Sequence, residues 1–242
     1  AACLRVLQAK LLERARAERE AEEVLGGVGW HELPVRCERD GREVRVRLLA
    51  PNDPGPLPAI MWAGGDDVAV KLPLEELAAR GVASCVVSDS GPAAGTVPEV
   101  SRALEDLEAA SDAVGRLDLI DNCRVFLAGA EHGCVVATLA AARHPHDVSG
   151  LVLLSPDFSA GHTTGDGQDA GSIWGDMRRF RGPVLVCRSE DGSHRSFDDA
   201  RRAAEEFPHA RLVTLGEGAH VVGEAMWLSH AIDEVVRFIC EA

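Results

Sequence analysis

The sequence predicts an α/β fold built on a mostly parallel central sheet, and two observations carry that prediction. Apolar runs of strand length alternate with longer helical segments through most of the chain, the order that builds parallel sheets. Residues 123–143, from Cys123 to Arg143, read as a buried strand, a sharp turn flanked by Gly129 and Gly133, and a helix. Composition agrees: 242 residues, 46% hydrophobic and 26% charged, describe one globular domain able to bury a single large core.

Taken in order, residues 2–24 form a charged helix with apolar positions at Leu4, Leu7, Leu11 and Leu12, broken by Gly26 and Gly27. Residues 1–30 are thus a helical extension to a single domain of residues 31–242. Docking on that domain, a homodimer contact or a substrate lid would each use the apolar side of this helix. Residues 33–50 alternate about Asp40-Gly41 as a hairpin does, and Pro51 to Pro58 makes a turn-rich link into a central strand. A helix near 72–80, a strand at 82–88, a helix at 97–115, the segment 123–143 and a strand at 150–154 continue the alternation. No internal repeat is present.

Gly129-Ala130-Glu131-His132-Gly133 fits the nucleophile-elbow pattern G-x-S-x-G with one change: Glu131 holds the serine position. An elbow thrusts one side chain out of a strained strand-to-helix turn, and its glycines permit packing that a larger residue would block. Three further segments accompany it. Pro58-Ala59-Ile60-Met61-Trp62-Ala63-Gly64-Gly65 is an apolar run ending in Gly-Gly, Pro183-Val184-Leu185-Val186-Cys187-Arg188-Ser189-Glu190-Asp191 an apolar strand running into acids, and Leu215-Gly216-Glu217-Gly218-Ala219-His220 a strand end with G-x-x-H.

In this order and spacing the four segments resemble the α/β-hydrolase-fold superfamily, over roughly residues 43–240, as a small and essentially capless member. The resemblance implies helices on both faces of the sheet. It also implies that Glu131, Asp191 and His220 stand where the family has nucleophile, acid and histidine. Gly64, Gly65 and Asp66 fall in the oxyanion loop and the His132 backbone N–H at the second oxyanion donor. Trp62 and Trp227 flank the expected pocket, where they could hold an apolar or aromatic substrate, with core packing the commoner fate of such residues. Two departures bear on chemistry: Glu131 replaces the nucleophile, and Ala63 replaces the histidine of the His-Gly loop, with Asp66 and Asp67 close behind. Carboxylates next to an oxyanion hole repel the charge it stabilises, so conventional serine-esterase chemistry is not expected.

A carboxylate and an imidazole facing one pocket can act as general base and general acid, which suits hydrolysis, elimination, isomerisation or cyclisation of a small metabolite. Direct attack by the carboxylate is also chemically available. The other reading is a non-catalytic homologue, a ligand-binding or protein-interaction scaffold whose Glu131–His220 pair is structural. The stretch Ser155 to Arg181, where the family inserts its cap, is short and rich in Gly, Asp and Thr. That separates the chain from epoxide hydrolases and haloalkane dehalogenases, which use an elbow aspartate under a substantial cap.

The formal charge of −14 and pI near 5.0 disfavour nucleic acid or an anionic membrane surface as partners, since both demand a basic patch. An acidic pocket favours a neutral or cationic small-molecule substrate. No apolar run reaches the ~18 to 20 residues of a membrane span, and the N-terminus lacks a signal-peptide layout, which makes the cytoplasm the expected location. Oxygen ligands at Asp66, Asp67 and Glu131 do not follow a metal-loop spacing, so neither a metal nor another cofactor is expected. The seven cysteines are odd in number and lack C-x-x-C spacing, against both a disulfide framework and a zinc site. Cys85, Cys123 and Cys187 belong to apolar strand runs and are expected in the core. Cys134, beside the elbow, is read as packing under the site, with attack by its thiol as the alternative.

Overall fold

The structure, a computed structural model, describes residues 28–51, 55–63, 73–88, 97–159, 173–190, 194–216 and 221–242. Eight strands form one sheet: β1 (Val28–Arg36), β2 (Glu43–Pro51), β3 (Leu57–Ala63), β4 (Ala83–Ser88), β5 (Ile120–Ala130), β6 (Gly150–Leu154), β7 (Val184–Ser189) and β8 (Ala210–Leu215). Between and after them run α1 (Leu74–Ala79), α2 (Val97–Val114), α3 (Gly133–Arg143), α4 (Ile173–Met177), α5 (His194–Glu206) and α6 (Val221–Glu241). The strand order is β1-β2-β4-β3-β5-β6-β7-β8. β1, β2 and β4 pair antiparallel, and every pair from β4 to β8 is parallel. This is the expected α/β class, and the elements anticipated at 72–80, 82–88, 97–115, 123–143 and 150–154 are all found.

Strands buried on both faces read as continuous apolar runs, and here alternate residues feed two cores. Met61, Leu127, Leu153 and Val186 face α2, α3, α4 and α5 in one cluster, while Ile60, Trp62, Phe126, Val152 and Leu185 face α1 and α6 in the other. The helices therefore cover both faces. No helix among the described residues is long and apolar enough to cross a membrane.

The hairpin expected around Asp40-Gly41 is β1–β2, with Arg36 paired to Glu43 and Gly41 at φ 70°. β1 already begins at Val28 and so takes in the last residues of the segment 1–30, whose remainder lies outside the described residues. Arg42 at the hairpin tip reaches α2, where its guanidinium donates to the buried carboxylate of Asp106. One cysteine departs from expectation: Cys85 and Cys187 are buried, but Cys123 is exposed. The reason is a register shift: β3 pairs Leu57 with Ile120 and next Ala59 with Val125, so residues 121–124 leave the ladder.

The topology chooses where a ligand belongs. After β4 the chain crosses β3 and lays β5 on its other side. Open α/β sheets bind ligands outside the carboxyl ends of strands at such a reversal, which here means past Ala63 and Ala130.

Candidate active site

Glu131 occupies that position and has the elbow backbone. Its φ is 50°, in the left-handed region that a residue with a Cβ adopts at a cost of roughly 1–2 kcal/mol. The turn holds it there by using every backbone group: the Glu131 N–H donates to the Leu154 carbonyl at 3.0 Å, and its carbonyl accepts from the N–H groups of Cys134 and Asp157, each at 3.2 Å. Gly129 makes the tightness possible, since a Cβ there would lie 2.5 Å from backbone atoms of Gly133 and Cys134. The Glu131 side chain is exposed. Among the described residues, one other non-glycine residue has positive φ, Ser155 at 45°. Because Ala130 pairs with Leu154, Glu131 and Ser155 follow on the same rung of neighbouring strands.

His132 and Asp157 form the next layer. The His132 Nδ1 lies 3.6 Å from Asp157 Oδ2, with 55% and 29% of the two side chains exposed. Asp157 is itself fixed, since its Oδ1 accepts from the Ser159 N–H at 2.9 Å. Sequence reasoning passed over Asp157. Its signal was Ser155-Pro156-Asp157, a turn-forming run at a strand end, which acquires meaning only when β6 is placed beside the elbow.

Cys134 packs beneath the turn. It is fully buried, and its single S–H has two carbonyl acceptors in reach, Gly129 at 3.2 Å and Leu154 at 3.7 Å. Burial pushes the thiol well above its ordinary range, and the carboxylates of Glu131 and Asp157 push it the same way. A thiolate nucleophile needs the opposite environment, so Cys134 is a packing residue. Of the two readings of Trp62 the structure gives core packing in place of a substrate contact: it is fully buried, because it shares with Ile60 the face of β3 covered by α1 and α6. Asp191, His220, Gly64, Gly65, Asp66 and Asp67 lie outside the described residues, as does the Trp227 side chain. Among the described residues, no three His, Cys, Asp or Glu side chains are grouped to hold a metal ion.

An eight-stranded, mostly parallel sheet with helices on both faces and a tight strand-to-helix turn at its reversal has the architecture of the α/β-hydrolase superfamily. Within it, the model of the hydrolase family described as serine aminopeptidase, S33, matches residues 57–220, and the chain belongs to that family. No curated protein matches its sequence. Among solved structures it is similar to Est1E from Butyrivibrio proteoclasticus, with TM-score 0.64 and 18% identity over 87% of this chain and 98% of that one. It is similar to EstE1, a carboxylesterase cloned from a metagenomic library, with TM-score 0.65 and 16% identity over 95% and 96%. A fungal esterase from Rhizomucor miehei gives TM-score 0.67 and 18% identity over 96% and 90%. At such identities these likenesses bear on the fold.

Proposed function

We propose that this member of the hydrolase family works by acid–base chemistry through Glu131, with His220 as its partner and Asp191 orienting the imidazole, on a small-molecule substrate. The observation that supports it is the adjacency of Glu131 and Ser155, two residues held at positive φ on one rung at the carboxyl ends of β5 and β6. Strain of this kind persists only where the surroundings over-determine it, and it clusters at active sites. A glutamate that merely filled a lost serine's place would gain nothing from it.

Without a serine, and with Cys134 buried and protonated, acyl transfer through the elbow lacks its nucleophile. The carboxylate instead takes or returns a proton, activating water or a C–H or O–H bond of the substrate, while the imidazole moves the complementary proton. Each such transfer contributes typically ~10² to 10⁴ in rate. Hydrolysis, elimination, isomerisation and cyclisation all fit this pair.

The test is product formation from a panel of small metabolites by wild type and Glu131→Gln, with their melting temperatures measured in parallel. Glu131→Gln keeps shape and loses the base, so turnover should fall by about two to four orders of magnitude while ligand binding and melting temperature hold. A wild-type protein that binds a metabolite and leaves it unchanged would instead establish the scaffold reading.

A further inference from the structure

The rung that carries Glu131 and Ser155 continues across the sheet. Leu154 pairs with Cys187 and Cys187 with Val213, so the next residues along are Arg188 on β7 and Thr214 on β8, themselves a pair. Above an apolar rung of Ala130, Leu154, Cys187 and Val213 thus lies a polar one: Glu131, Ser155, Arg188 and Thr214. At about 4.8 Å per strand, the Arg188 backbone stands about 10 Å from that of Glu131.

The Arg188 guanidinium is fixed from two sides. Its Nε donates to the Thr214 hydroxyl at 2.9 Å, and its central carbon lies 3.6 Å from the centroid of the Phe197 ring, in the first turn of α5. Phe197 is itself 43% exposed. The Arg188 Nη1 is shielded from water and has no hydrogen-bond partner among the described residues. No carboxylate among the described residues lies within ion-pair distance of Arg188, in a chain with 39 acidic against 25 basic residues. Arg188 is half-buried, and a shielded donor atom such as Nη1 is costly unless an acceptor completes it.

We infer that Arg188 is an anion subsite, holding a carboxylate of the organic molecule whose reacting part meets Glu131. With Nε committed to Thr214, the Nη groups are the donors left for an anion, and a carboxylate that displaces the cover over Nη1 would meet both. Thr214 accepts from Nε, and its own O–H remains a donor toward the same anion. The inference rests on the reading of the strand ends as a ligand site. It reverses the expectation from net charge of a neutral or cationic substrate, because a fixed local cation outweighs the screened average of a distant acidic surface.

The experiment is a titration followed by amide NMR, using benzoate as probe, benzamide as its neutral isostere and inorganic phosphate as the competing anion class. Benzoate should shift the Thr214 and Phe197 amides saturably at or below ~50 mM, benzamide should not, and Arg188→Met should weaken benzoate binding at least about tenfold. Arg188→Lys, which keeps the charge and loses the fork, should fall between and guards against a Met variant that fails to fold. Glu131→Gln should bind benzoate as wild type does, so failure of the acid–base reading would leave this result intact. Absence of saturable benzoate shifts, equal binding of benzamide, or unchanged binding in a folded Arg188→Met protein would each overturn the subsite. Phosphate binding with benzoate excluded would overturn the carboxylate assignment.

Discussion

Asp106 and Glu131 are both carboxylates that the fold holds at a cost, and the costs are of different kinds. Asp106, in the middle of α2, is fully buried; one oxygen takes the Arg42 guanidinium and the other has no hydrogen-bond partner among the described residues. What it gains is a tie between elements 64 residues apart in sequence, the hairpin tip and α2. Around it, Arg39 pairs with Glu105 and Arg42 with Asp40, so the charge sits in a local network. Glu131 is exposed, and its cost is backbone strain at φ 50°. No burial is gained in return. A cost offset by a long-range tie marks a structural residue, whereas backbone strain at a strand-to-helix turn is of the kind that clusters at functional sites.

The largest effect should come from breaking the structural side of that contrast. Asp106→Ala removes the buried partner of a guanidinium that is only 17% exposed. Removing one partner of a buried pair costs ~3–5 kcal/mol, and the remaining carboxylates of Asp40 and Glu105 put this case at the low end, about 3 kcal/mol. Urea denaturation reads it directly; a loss under about 1 kcal/mol would mean that the hairpin docks by apolar packing alone.

The functional side should respond with the opposite sign. Glu131→Gly places at φ 50° the residue that tolerates it. Relief of strain, less the extra chain entropy of glycine, should stabilise the protein by about 0.5–1 kcal/mol while abolishing turnover. Stabilisation with loss of activity is the trade expected of a strained site. If Glu131→Gly instead destabilises the protein, the glutamate is structural and the contrast with Asp106 collapses.

The two regions also differ in how far the sequence announced them. The elbow was legible because it is local: Gly129, Glu131 and Gly133 fall within five residues, and the strand and helix around them are long and strongly patterned. The strand and helix order was legible for the same reason. Asp106 in α2 was invisible, since one acid among several in an amphipathic helix gains meaning only when Arg42 reaches it across the fold. Arg188 lies inside an apolar strand run, yet only the pairing of β7 with β8 and the arrival of Phe197 show what holds its guanidinium. Trp62 stayed ambiguous because a large aromatic at a strand end can line a pocket or pack in the core, and only the placement of α1 and α6 over its face of β3 decides for the core. Cys123 misled because the β3–β5 register shift cannot be seen in one strand.

The smallest effect concerns two carboxylates that share one arginine and should titrate with opposite consequences. Burial raises the Asp106 carboxyl above its ordinary 3.8, against the pull of Arg42. Its folded state therefore keeps a proton that the unfolded chain has lost, and stability falls as pH rises through that interval. The contribution is fully present below about pH 3.8 and gone above the raised folded value. Asp40 is the reverse: the Arg42 backbone N–H and guanidinium hold it below 3.8, so its contribution is present above the ordinary value and is lost as pH falls through the folded one. Stability measured from about pH 3 to 7 for wild type, Asp106→Asn and Asp40→Asn should separate them. Relative to wild type, Asp106→Asn should gain as pH rises through the acid range and Asp40→Asn should gain as pH falls, both differences levelling off near neutrality. Curves for Asp106→Asn that run parallel to wild type would show that Arg42 offsets the burial of Asp106 completely, leaving the pair no net preference for the protonated acid.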